Sequence, residues 1–202
     1  MPHSFGTLLF QRVLAAGQPA ATLAGVARRL MKNQEELGEV SEAFLNLTDG
    51  VNAKGLTPAD LAEEVTDVFL VTTDALQQFR AYLDASGSAA ARPMHSACNH
   101  LDAVAAVQPL ETFMRTFASL SQSHGSAFDL CVNGASGESP FDEELAGHLL
   151  SMHRSSSLLL LTAYPGMPPR SLGEMKARVL QEIDRKIEKW VRVRAPAIEQ
   201  AA

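Results

Sequence analysis

The chain is poor in several things at once. It has two cysteines, Cys98 and Cys131, in 202 residues. That is too few for a disulfide framework, and with no signal-like start to the sequence it is the pattern expected of a reducing cytosol. It has one tryptophan and two tyrosines, and aromatic residues make up only 6% of it. Sheets draw on aromatic and β-branched side chains, so this scarcity argues against a β-sandwich. No apolar run approaches the roughly 20 residues that a membrane-spanning helix needs; the longest, around residues 158–161, is a fraction of that. Cations are short as well. The 17 Lys and Arg face 23 Asp and Glu, for a formal net charge of -6. An acidic surface repels a polyanion, which excludes DNA or RNA binding as the main task. There is also no glycine-rich loop ending in Lys-Ser or Lys-Thr, which excludes a P-loop NTPase.

What the chain does have is apolar material: 46% of its residues are hydrophobic, with Ala and Leu dominant. That suffices for one domain, or one domain with a sizeable insertion, and it leans toward an all-α fold. Residues 4–16 read as a short amphipathic helix closed by Gly17 and Pro19, and residues 22–48 as a long one ended by Asp49-Gly50. Thr57-Pro58-Ala59-Asp60 then opens a helix to about Leu83: Thr57 caps, Pro58 suits the first helical position, and Asp60 faces the positive helix end. Residues 85–93 read as a linker of small side chains. Residues 99–121 look helical, with Pro109 as a break or a new start, and residues 125–139 look like a loop. Ser139-Pro140-Phe141-Asp142 repeats the capping logic of residues 57–60 and predicts a helix to about Ala163. Prolines stop it at 164–170, and Ser171 with Glu174 forms a capping box for a last helix to about Arg194. No strand and no repeat is evident.

The chemistry concentrates in two of these helices. One carries Glu35, Glu36, Glu39 and Glu42; the next carries Glu63, Glu64 and Asp67. At 100° per residue, Glu39 lies about 60° from Glu36, and Val40, Ala43 and Leu47 fall within about 40° of it. Asp67 stands about 60° from Glu64, with Val68, Val71 and Ala75 similarly close. Glu36, Glu39, Glu64 and Asp67 therefore sit on the apolar stripes, while Glu35, Glu42 and Glu63 fall at the edge or outside. Two helices joined by a short loop pack antiparallel, stripe to stripe. Four carboxylates are thereby buried or half-buried together, with Lys32 and Arg29 a turn or more away. Burying unpaired like charges costs several kcal/mol each, so a fold keeps them only with compensation. An all-oxygen donor set without histidine selects a hard cation, Mg2+ or Mn2+. A di-iron bundle would want Glu-x-x-His pairs instead.

The sequence around these carboxylates, NQEELGEVSEAFLNL followed by LAEEVTDVFLVTTDAL, resembles the helix pair of the all-α nucleoside triphosphate pyrophosphohydrolases. These form the MazG-like superfamily, with the dCTP pyrophosphatases and dimeric dUTPases. The likeness covers residues 30–76 and implies a MazG-like helical bundle with Mg2+ held by Glu36, Glu39, Glu64 and Asp67. It implies hydrolysis of a (d)NTP to the monophosphate and pyrophosphate by an activated water, with Glu35 or Glu63 assisting. Residues 184–189 are similar to the family's basic last helix, which gives Lys186 and Lys189 a phosphate-binding role. In the family that helix follows closely; here residues 85–170 intervene. The organisation expected is thus catalytic helices over 1–84, a linker and helical insertion over 85–170, and a final helix over 171–202 packing back on the bundle. The resemblance further implies a cytoplasmic homodimer or higher homo-oligomer. Two other classes remain open: a nucleotide- or alarmone-binding regulatory protein, and a helical protein-interaction module. Phe10, Gln11, Phe44 and Phe69 are candidates to contact a base, though each suits a plain core position better.

Overall fold

The computed structural model describes residues 4–17, 22–94, 101–133, 139–168 and 170–199, with the side chains of 139–140 and 193–199 set aside. These residues form seven helices and no strand: α1 Phe5–Ala16, α2 Leu23–Thr48, α3 Pro58–Ser86, α4 Ala91–Met94, α5 Leu110–Asn133, α6 Ser139–Leu160 and α7 Leu172–Glu199. The all-α class follows directly.

The helix starts are where the capping residues place them. Ser4 accepts from the Thr7 amide and Thr22 from the Gly25 amide, which satisfies donors that the first turn leaves unpaired. Thr57 and Asp60 close a reciprocal capping box over Pro58, and Ser171 with Glu174 closes another at 2.7 and 3.3 Å. Helix α3 overruns the expected end by three residues and stops where Gly87 turns left-handed at φ 70°, a conformation that costs glycine nothing.

Three expectations are corrected from residue 85 onward. Residues 101–109 are not a continuing helix: α5 begins only after Pro109, and Gln108 instead forms an isolated parallel bridge to Thr162. Gly125, read as the start of a loop, lies inside α5, because Ser123, His124 and Ala127 around it are buried and hold the helix against its neighbours. The linker at 85–93 contains the end of α3 and most of the one-turn helix α4.

The helices α2 and α3 form one antiparallel hairpin and α5 with α6 a second; α5 packs on α2 and α6 on α3. Helix α7 lies along α1 and α3. One apolar core runs through both hairpins, from Leu30 and Phe69 through Phe79 and Phe113 to Leu149, Leu159 and Ile183. Helix α3 therefore sits in the middle, touching α1, α2, α4, α6 and α7. Glu64 and Asp67, midway along it, are half-buried between its neighbours.

Candidate metal centre

The site lies where α2, α3 and α7 meet. Single carboxylate oxygens of Glu36, Glu64 and Asp67 lie within 4.8 Å of one another. Glu36 is 5% exposed, while Glu64 and Asp67 are half-buried. Glu39 is exposed at the rim, close enough for its carboxylate to raise Glu36 and Glu64. The four residues selected by helical phase thus converge, three of them tightly.

Two lysines flank the group. Lys32 reaches Glu36 at 2.8 Å and Glu35 at 2.9 Å. It is one turn before Glu36, and the i, i+4 spacing is the signal that should have put it in contact. Lys186, 3% exposed, pairs with Asp67 and lies 2.6 Å from Glu63. Arg185 joins at 2.9 Å from Glu63. So Glu63, read as a solvated edge residue, is an anchor for α7 instead. Glu35 stays outside, its side chain 59% exposed on Lys32. Lys189 is exposed and acts on Asp67 only through its charge.

The electrostatics separate the paired carboxylates from the crowded ones. Burial raises Glu63, but Lys186 and Arg185 outweigh it and hold the carboxyl below its usual value. Burial pulls the Lys186 ammonium down, yet Asp67 and Glu63 keep it above its ordinary value. Glu36 goes the other way: burial and the nearby Asp67 charge outweigh Lys32 and push it up to about 7. Glu64 is pushed up to about 7 by burial and by the Glu39 and Asp67 charges. Asp67 is also raised, by burial first and in spite of Lys186. Among the described residues no Lys or Arg forms an ion pair with Glu64 or Glu39.

That arrangement could hold a metal ion. The donor set is all oxygen, three atoms already lie within reach of one centre, and the two lysines leave like charges facing each other. The remaining candidates fare less well. Phe10 and Phe69 are core residues packed around His153, Phe44 stacks on Phe113 at 4.7 Å, and Gln11 is exposed on α1. His124 and His153 are buried and bonded to Leu30 and Thr73. Cys131 is free and half-buried, its thiol pushed up to about 11 by burial. Cys98, His95 and His100 lie outside the described residues. No helix among the described residues is long and apolar enough to cross a membrane. No protein-family model, no curated protein and no solved structure matches the chain.

Proposed function

We propose that this protein is a Mg2+-dependent nucleoside triphosphate pyrophosphohydrolase, converting a (d)NTP to the monophosphate and pyrophosphate. The observation that carries the reading is Glu64: it faces Glu36 and Asp67 within 4.8 Å and has no cationic partner among the described residues. The likeness of residues 30–76 to the MazG-like superfamily supplies the substrate class and the MazG-like character of the bundle.

Glu36, Glu64 and Asp67 would hold the ion, with Glu39 at the open rim. A bound Mg2+ supplies charge neutralisation for the phosphate oxygens and lowers the proton affinity of a water. The chain does the rest. Lys186 fixes Asp67, and Lys32 fixes Glu36, so neither carboxylate swings away. Water attacks the α-phosphorus; the new P–O bond forms as the bond from the α-phosphorus to the α,β-bridging oxygen breaks, and pyrophosphate leaves with that oxygen and the electron pair. The water proton passes to a carboxylate, for which Glu39, exposed and adjoining Glu64, is best placed. Lys189 and Arg185 add positive charge on the α7 side. Homo-oligomerisation belongs to the same proposal and is tested by light scattering.

The deciding experiment incubates the protein with a panel of NTPs and dNTPs plus Mg2+ and detects pyrophosphate separately from orthophosphate. Pyrophosphate from at least one nucleotide is expected. None from any would sink the enzyme reading, and orthophosphate as the primary product would make it a different hydrolase.

A further inference from the structure

A cavity of about 380 Å³ opens between the first turn of α3, the turn from α6 into α7, and the first half of α7. Ala59, Ala62 and Met167 give it apolar walls, while Arg170, Arg178 and Glu182 bring charge to its edge. The sequence offered no sign of it, since its walls come from residues more than 100 positions apart.

Arg178 is the informative member. Its guanidinium carbon lies 5.2 Å from the centre of the Tyr164 ring, and one terminal nitrogen lies 3.4 Å from the Leu160 carbonyl. Its Nε is buried and has no hydrogen-bond partner among the described residues.

The position of the cavity relative to the carboxylates is fixed twice over. Helices α3 and α7 run parallel here. Ala59 and Ala62 share the cavity with Arg178 and Glu182; further along, Glu63 and Asp67 pair with Arg185 and Lys186. At 1.5 Å per residue, Ala62 and Ala59 lie about 8 to 12 Å along the axis from Asp67, and Glu182 and Arg178 lie about 6 to 12 Å from Lys186. The two helices agree on the offset. It is comparable to the reach of a nucleotide from its base, through the sugar, to the first phosphates.

We propose that this cavity seats the base and sugar of the nucleotide whose phosphates meet the carboxylate cluster. The proposal rests on the nucleotide reading above. Apolar walls suit a flat heterocycle better than a bare phosphate, and a few polar groups at the edge fix its orientation. Arg178 and Arg170 donate to ring nitrogens or carbonyls, and Glu182 accepts. The chain of ion pairs from Glu182 through Arg185 and Glu63 to Lys186 joins the cavity to the cluster.

The test titrates the full chain, in Mg2+, with nucleoside triphosphates carrying a non-hydrolysable α,β-methylene bridge, using calorimetry. Ala59 is exposed at the start of α3, so Ala59→Trp fills the cavity mouth without entering the core. The expected result is nucleotide binding weakened about 10-fold or more, with the affinities for Mg2+ and inorganic pyrophosphate unchanged. Unchanged nucleotide affinity in Ala59→Trp overturns the cavity and leaves the hydrolase reading standing. A wild-type protein that binds Mg2+ but no nucleotide overturns both. A second measurement needs no variant: an azido-base nucleotide, photolysed on the unaltered protein, is expected to label peptides within residues 57–62 or 166–182. Labelling confined to other peptides overturns the proposal.

Discussion

Helices α2 and α3 treat buried polar groups in opposite ways along their length. In the half away from the loop joining them, each charge and most neutral groups are met. Asp74, 2% exposed, takes Arg29 at 2.5 Å. Thr72 donates to Asn33 at 3.2 Å, Gln77 to the Phe10 carbonyl at 3.1 Å, and Thr73 lies 3.1 Å from a ring nitrogen of His153. The leftovers are single neutral amide atoms, Asn33 Nδ2 and Gln78 Oε1. In the half nearer the loop, Glu36, Glu64 and Asp67 turn toward one another, and two lysines clamp only the ends. Both halves bury polar chemistry in one pair of helices, so burial alone does not mark a site. Saturation separates them. Groups that find partners within the chain hold the fold, and groups left facing their own kind await something from solution.

The comparison breaks most sharply by substitution. Glu64→Gln removes a ligand and also relieves crowding. It is expected to lower Mg2+-dependent turnover by about 100-fold or more, a size typical of losing one group that stabilises transition-state charge, while metal-free thermal stability holds or rises. Glu35→Ala, outside the cluster, is the control, and steady-state kinetics should show it near wild type. A Glu64→Gln protein that turns over normally would remove Glu64 from the site. Next in size is metal itself. Mg2+ at 100 times its dissociation constant should stabilise the wild type by about 2.7 kcal/mol in denaturant titrations, by mass action on the folded state. Asp67→Asn should abolish most of that gain. In the saturated half the effect falls on folding instead. Asp74→Ala leaves Arg29 without its partner and should cost roughly 2 kcal/mol, below the 3–5 of a fully buried pair because Arg29 reaches solvent. Its Mg2+ response should persist. Loss of the Mg2+ response in Asp74→Ala, with the fold intact, would mean the two halves are one site.

How far the sequence foretold this follows the range of the contacts. The choice of Glu36, Glu39, Glu64 and Asp67 needed only helical phase and a short connection, and the structure brings those residues together. The starts of α1, α2, α3 and α7 were legible because a cap is a local pattern three residues long. What was not legible came from distant pairing. Lys186 meets Asp67 across 119 positions, and only the packing of α7 on α3 makes that contact exist. Gly125 fails for the same reason: its propensity opposes a helix by about 1 kcal/mol, and burial of Ser123, His124 and Ala127 overrides it. Lys32 differs: its contact with Glu36 is local, an i, i+4 pair that the sequence shows directly.

The finest test sets the two halves against each other by pH. His124, on α5, meets the Leu30 carbonyl of α2 at 2.9 Å, beside the saturated half. Burial holds its pKa below the usual 6.5, although the Leu30 carbonyl pulls the other way. The unfolded chain therefore takes up a proton first, so the stability His124 contributes is present above pH 6.5 and is lost as pH falls through the depressed value. Glu36 and Glu64 have the opposite sign. Their folded values, near 7, lie above the usual 4.5, so the metal-free fold keeps their contribution below pH 4.5 and loses it as pH rises through about 7. Without Mg2+ the two trends oppose each other between pH 5 and 7, but two carboxyls outweigh one imidazole, so the urea midpoint should fall as pH rises toward 7. Saturating Mg2+ displaces the carboxyl protons and removes the second trend. The midpoint should then fall on acidification below pH 6.5, and His124→Gln, whose amide can still donate to Leu30, should lessen that fall. A pH profile that Mg2+ leaves untouched would show that the crowded carboxylates are as settled as Asp74, and the distinction between the two halves would collapse.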